Sequence, residues 1–252
     1  MAITVNENES KPKSNKYHGI TTFNVVCVNP TKDEMNEMGI KTDKDPSYLN
    51  TERGNTRIDI YLENTTVKTK ATFFLSVGKE STKNPGSFQW VDKFGNFQWG
   101  TEPSKIGPSR TVNVGGKDIT FIFDQESARK AYAGEEALTN FIRAIGCVEK
   151  DQECRLDTIE SIFTKGDISE IASIINSVKS TNSVWAAVGI TGNGYYNIYN
   201  KKFLPGFVKS VVSIANAIQK DSYAKENYGV YPYNFVQEGS EQPKVSSETS
   251  PF

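Results

Sequence analysis

"RIDIYLENTTVKTKATFFLSV", residues 57–77, is two strands and a turn written in period 2. Ile58, Ile60 and Leu62 alternate with Arg57, Asp59, Tyr61 and Glu63; after the polar link, Ala71, Phe73, Leu75 and Val77 alternate with Lys70, Thr72, Phe74 and Ser76. Successive side chains of a strand point to opposite faces, so each half carries one core face and one wet face. The short link "NTTVK" predicts an antiparallel hairpin, the unit from which one-sided sheets and barrels are built. Asp59 and Glu63 fall on the wet face, where they read as solvated carboxylates rather than an acid/base pair.

Working outward, "ITTFNVVCV" (20–28) predicts a strand before the hairpin, followed by a long polar excursion over 30–55. Beyond it, "FQWVDKFGNFQWG" (88–100) sets five rings around Gly95-Asn96, a pair that suits a two-residue type II′ turn. A two-residue loop there puts Phe88, Trp90, Phe94, Phe97 and Trp99 on one face and Gln89, Val91, Lys93 and Gln98 on the other; with a four-residue loop Lys93 and Phe94 leave the ladder and the other four rings still share a face. "DITFIFD" (118–124) predicts another strand after Gly115-Gly116. The period then changes. "GEEALTNFIRAI" (134–145) and "DISEIASIINSV" (167–178) space their apolar residues as helices, the second with Asp167 placed to cap it and Glu170 three residues on. Strands return in "VWAAVGI" (184–190) and "YYNIYN" (195–200), and "GFVKSVVSIANAIQ" (206–219) predicts a last helix burying Val208, Val211, Val212, Ala215 and Ile218. "YAKENYGVYPYNF" (223–235) is expected to pack back in extended form.

The expected fold is therefore mainly β with helical insertions, an α+β chain built on an OB-like antiparallel barrel, with an open α+β sheet as the alternative. Residues 1–16 read as a flexible arm and 17–235 as the domain, its helical insertion covering about 125–180. Residues 236–252 have the composition of a disordered tail.

Chemistry-bearing motifs are sparse. Cys27, Cys147 and Cys154 form no CxxC, and the single histidine, His18, is far from all three in sequence, so no metal site is expected. "VGKES" (77–81) lacks the upstream glycine of a phosphate loop, and "GITGNG" (189–194) runs between strands where a dinucleotide fingerprint needs a helix. Glu135 and Glu136 sit in a first helical turn, where the macrodipole favours negative charge without catalysis. Neither a cofactor nor an enzyme activity is expected. With no apolar run of membrane length and no export pattern, the chain reads as cytoplasmic, in a host cytoplasm if viral.

Charge carries more. The formal net charge is −1, yet residues 64–117 hold eight Lys/Arg against three Asp/Glu while 124–170 hold six against eleven. A basic half that is also the aromatic half suits a polyanion. Bases stack on rings and phosphates follow cations, so the candidate nucleic-acid residues are Phe88, Trp90, Phe94, Phe97 and Trp99 with Lys68, Lys70, Lys79, Lys83, Lys93, Lys105 and Arg110. "YYNIYNKKF" adds a second platform, Tyr195 and Tyr199 beside Lys201 and Lys202. For most of the five hairpin rings, burial in the barrel wall is the competing reading. Two other functions fit the same features: an assembly protein burying the aromatic hairpin against partner subunits, and a carbohydrate-binding module using Trp90 and Trp99.

Together, "FQWVDKFGNFQWG", "RKAYAGEEALTNFIRA", "YYNIYNKKFLPG" and the terminal "SPF" resemble the single-stranded DNA-binding proteins of tailed bacteriophages, particularly those of crAss-like phages. The resemblance implies an OB barrel that holds single-stranded DNA (RNA is the alternative) without sequence preference, in DNA replication, recombination or repair. It also implies a tail whose final aromatic, here Phe252, recruits replication enzymes. The tail departs from the family's acidic pattern, because Glu238, Glu241 and Glu248 are offset by Lys244.

Overall fold

The computed structural model describes residues 16–40, 56–76, 78–114, 116–146, 163, 169–178, 183–190, 195–228 and 235–236. In chain order the first elements are β1 (Lys16–Tyr17), β2 (Gly19–Val28), α1 (Lys32–Glu37), β3 (Thr56–Glu63) and β4 (Lys68–Leu75). Next come β5 (Phe88–Val91), β6 (Phe97–Gly100), β7 (Ser109–Val114), β8 (Lys117–Ile122), β9 (Arg129–Lys130), α2 (Glu135–Gly146) and α3 (Ser169–Val178). The chain closes with β10 (Ser183–Ile190), β11 (Tyr196–Ile198), β12 (Leu204–Pro205), α4 (Val212–Lys220), α5 (Ser222–Asn227) and β13 (Phe235–Val236).

The hairpin at 57–77 is β3 and β4, paired with Arg57 opposite Phe74, Asp59 opposite Thr72, Tyr61 opposite Lys70 and Glu63 opposite Lys68. Asn64 fixes the connection: its Oδ1 accepts from the backbone N–H of Thr66 and Val67, an Asx turn. The main sheet has the order β11-β10-β2-β3-β4, with every neighbour antiparallel. Its two ends meet, because Thr69 Oγ1 donates to the Tyr196 carbonyl at 3.4 Å and Asn200 Nδ2 to the Thr72 carbonyl at 3.1 Å. The first three barrel strands thus lie side by side and the fifth sits between the third and fourth. This is a nearly closed Greek-key barrel of OB type, not an open sheet.

Alternation decides what each wall faces. Phe23, Ile58, Ile60, Leu62, Ala71, Phe73 and Leu75 point inward, and Leu138, Phe141 and Ile145 of α2 with Ile171 and Ile175 of α3 join them in one core. Phe73 lies 6.1 Å from Phe141 and 6.2 Å from Phe203, tying wall, helix and C-terminal loop into a ring trio. β10 is buried on both faces: Val184, Ala186 and Val188 face the barrel, while Trp185 and Ala187 face a second core with Ile20, Tyr199, Ile214, Ile218 and Tyr228. The helices α4 and α5 supply that second cover. It lies over the outside of β2 and β10.

The C-terminal expectations need two corrections. The helix starts at Val212, not Gly206, because Pro205 pairs with Val184 and the Gly206 and Val208 carbonyls both accept from Trp185 Nε1, at 3.1 and 3.0 Å. Residues 222–227 are helical rather than extended, since Asp221 accepts from the Ala224 N–H as an N-cap.

Residues 78–133 form an appendage between β4 and α2, a three-stranded sheet β6-β5-β9 and a separate ribbon of β7 and β8. The aromatic hairpin also departs from expectation. Phe88 pairs with Gly100, Gln89 with Trp99, Trp90 with Gln98 and Val91 with Phe97. The turn is a three-residue loop, Lys93 to Gly95, with Gly95 at φ +72° and the Asp92 carbonyl accepting from its N–H. Asp92 Oδ1 also accepts from the Phe94 and Asn96 N–H groups, holding the odd loop in place. An odd loop reverses the parity across the turn, so Phe88 and Trp90 face one side and Phe97 and Trp99 the other.

Candidate nucleic-acid interface

With β2 and β10 covered by α4 and α5, the outer face of β3 and β4 is where the barrel meets solvent with aromatic and charged side chains. Phe74 is 58% exposed, and the Arg57 guanidinium lies 5.6 Å from its ring centre. Diagonally along the hairpin, Lys70 Nζ lies 5.9 Å from the Tyr61 ring. Each ring is therefore paired with a cation that both polarises it and offers a contact to phosphate.

Asp59 joins the two pairs. Its carboxylate accepts from Arg57 Nε at 2.8 Å and Nη2 at 2.6 Å, from Lys70 Nζ at 2.9 Å and from Thr72 Oγ1 at 2.8 Å. Its backbone N–H donates to Asn29 Oδ1 at 2.8 Å. This overturns the reading of Asp59 as a solvated carboxylate, for it is 1% exposed. Burial pushes its pKa up, but the hydrogen bonds from Arg57, Lys70 and Thr72 together outweigh burial and hold it below the ordinary carboxylate range. Burial also raises the Tyr61 pKa, helped by the Asp59 charge.

A depressed acid stabilises the fold above its unfolded pKa, and that contribution fades as pH falls through the folded value. Asp59→Asn is thus expected to lower stability by about 1–3 kcal/mol at neutral pH. In urea unfolding series the gap from the parent chain should begin to narrow below about pH 4, where the unfolded carboxyl protonates, and close only once pH has fallen below the depressed folded value.

Beside this face lies a cavity of about 490 Å³. It is lined by Val26, Tyr61, Leu62 and Lys70 of the barrel strands and by Met38 and Ile40 from the connection after the first of them. Tyr195, from the loop after the fourth strand, Tyr196, which opens β11, and Lys68 line it as well. Met38 is placed by a capping box at Thr31 and Glu34 that starts α1, and its sulfur accepts from the Cys27 thiol at 3.5 Å. The lining is mostly apolar and includes the side chains of Lys68 and Lys70. Lys68 makes an exposed 3.6 Å contact to Glu63, a pair weak enough to exchange for a phosphate.

Of the residues expected from sequence, Lys68, Lys70 and Tyr195 come together here, Tyr195 being 74% exposed. The aromatic hairpin lies on the appendage and divides its rings. Lys130 Nζ sits 3.8 Å from the Phe88 ring centre and 5.7 Å from Trp90, while Trp90 Nε1 donates to the Gly100 carbonyl. On the opposite face Trp99 is 53% exposed and Phe97 half-buried. At the tip Lys93 covers the exposed Phe94 ring at 5.1 Å and binds Asp124 at 2.7 Å. That hydrogen bond raises the Lys93 pKa and lowers that of Asp124.

Lys105 pairs with Glu102 and Lys201 with Asp221. Lys79 and Lys83 are exposed in the loop before β5, Lys202 is half-buried, and Arg110 stands on the β7–β8 ribbon. Tyr199 is not a platform: it is buried against Tyr228 at 5.4 Å in the second core, its hydroxyl donating to the Ala217 carbonyl. Phe252 and Asp167 lie outside the described residues.

Arg57, Tyr61, Phe74, Met38, Ile40 and Lys130 were not among the residues expected. The signal for three of them was present, since alternation already placed Arg57, Tyr61 and Phe74 on the wet face, and a phenylalanine there has no core to serve. Set against known proteins, the chain matches no family model, no curated protein and no solved structure.

Proposed function

We propose that this protein binds single-stranded nucleic acid, DNA in the first place, without sequence preference, through the outer face of β3 and β4 and the adjoining cavity. One observation carries the reading: the second and third strands of an OB-type barrel present two cation-paired rings between the loops that follow its first and fourth strands. OB barrels use that face and those loops for oligonucleotides. Phe74 and Tyr61 serve as stacking platforms, and Arg57, Lys68 and Lys70 meet the backbone. A role in replication, recombination or repair follows as the setting in which single strands need cover.

The test is a titration of fluorescently labelled oligo-dT followed by anisotropy, repeated from about 50 to 200 mM salt. Each phosphate contact on a single strand contributes roughly −0.7 to the slope of log K against log salt, so three cations should give about −2. A sequence-independent affinity with that slope is the expected result. No binding at the lowest salt, or binding to glycans that ignores salt, overturns the proposal.

A further inference from the structure

The ribbon of β7 and β8 pairs Arg110 with Phe121, Thr111 with Thr120, Asn113 with Asp118 and Ser109 with Ile122. Opposed residues of an antiparallel pair share a face. Arg110, Lys117, Ile119 and Phe121 therefore lie on one side, and Ser109, Thr111, Asn113, Asp118, Thr120 and Ile122 on the other. The polar groups of the second side satisfy one another, the Thr111 and Thr120 hydroxyls 2.9 Å apart and Asn113 Nδ2 donating to Asp118 Oδ1 at 2.8 Å, with Ile122 exposed at the ribbon's base. On the first side Ile119 and Phe121 are each 42% exposed, and β8 is exposed along its whole length. A two-stranded ribbon has no core of its own, so an apolar face left wet on one marks a contact surface.

We infer that this face is a second grip on the nucleic-acid strand, used when the strand is long enough to leave the barrel groove. The inference rests on the proposed function. Charge selects the occupant: Arg110 and Lys117 share the apolar side, while Asp118, the ribbon's one acid, is turned to the opposite side. Arg110 opposite the Phe121 ring, with Lys117 further along the same face, complements a base and successive phosphates, the combination that single strands use.

The ribbon's base is fixed. Phe123 is buried, its N–H donates to the Pro108 carbonyl at 2.6 Å, and the Asp124 N–H donates to Asp92 Oδ2 at 2.9 Å. Asn96 Nδ2 donates to the Ile122 carbonyl at 2.8 Å. The arm is thus anchored to the tip of the aromatic hairpin, and its exposed face is held out from a tied root.

The experiment compares the full-length chain with Arg110→Glu/Lys117→Glu and with Phe121→Ala, on oligo-dT of roughly 6 and roughly 30 nucleotides; single OB folds occupy about 4–16 nucleotides. Each variant should lose about tenfold or more in affinity for the long strand and nothing for the short one. The charge variant should also lower the long-strand salt slope by about 1.4, the share of two cations. Phe121→Tyr should retain long-strand affinity, since it keeps the ring.

Equal affinity of variants and parent for the long strand overturns the inference while leaving the groove reading intact. Equal losses on both lengths overturn it too, as the ribbon would then act on the groove. If sedimentation without nucleic acid shows Phe121→Ala breaking an oligomer, with long-strand affinity unchanged, the face pairs copies of the chain instead. Failure of the parent to bind either length removes the groove reading and the ribbon with it.

Discussion

Replacing Tyr61 and Phe74 together by alanine is expected to weaken single-strand binding by about thirtyfold or more. Each base stacked on an aromatic ring contributes about 1–3 kcal/mol, and each 1.4 kcal/mol is a factor of ten. Two independent platforms sum to about 2–6 kcal/mol. The rings lie diagonally on neighbouring strands and have different cation partners, Arg57 and Lys70, so near-additivity is a fair expectation. Because no charge is removed, the salt slope should keep its value while the whole line drops. That separates stacking from electrostatics: Arg57→Gln should instead flatten the slope by about 0.7. Phe74 is exposed and Tyr61 half-buried, so the thermal transition should move little. Anisotropy titrations showing less than a threefold loss for the double variant would remove this face from the binding surface.

The largest effect on stability is expected at Phe73. Phe73→Ala should cost about 3–5 kcal/mol, the range for deleting a buried phenyl ring. Phe73 is fully buried on the inward face of β4 and meets both Phe141 of α2 and Phe203 of the loop before β12. Phe141 and Phe203 are themselves 5.1 Å apart and edge-on, so removing Phe73 leaves a void between rings that already brace each other and cannot both move in. For a chain of this size the melting temperature should fall by about 6–20 °C. Calorimetry reads the loss directly. The folded fraction should bind oligo-dT as the parent does, because Phe73 and Phe74 point to opposite faces of the strand; a binding defect at low temperature would contradict that separation.

How far the sequence carried this reading depended on distance along the chain. Strands β3 and β4 were legible because alternation and the Asn64 turn are local, and the α2 stripe of Leu138, Phe141, Ile142 and Ile145 was legible for the same reason. The place of β11 between β4 and β10 was not, since nothing in "YYNIYN" says which edge its carbonyls will meet. The aromatic hairpin failed on one side chain. Asp92 takes two backbone N–H groups and makes an odd loop favourable, so a parity argument built on Gly95-Asn96 assigned Phe97 and Trp99 to the wrong side. The helical signal after Pro205 failed where Trp185 claimed two carbonyls across space. The groove itself was half legible. Arg57, Tyr61 and Phe74 were placed on the wet face by period, but only the folded chain shows α4 and α5 covering β2 and β10 and, among the described residues, Phe74 left exposed on β4.

The long detour between the third and fourth barrel strands has a consequence during synthesis. A ribosome delivers β2, β3 and β4 as a meander, and then about 100 further residues before β10 emerges to lie beside β2. At about 5–20 residues per second, that interval is roughly 5–20 s. Throughout it Phe23, Ile58, Ile60 and Phe73 face outward from an unfinished wall, and one long edge of β2 has no neighbour. The nascent chain is therefore most prone to aggregation or capture by chaperones in the window between Leu75 and Ser183, and α2, which arrives midway with Leu138 and Phe141, is the first element able to shelter it.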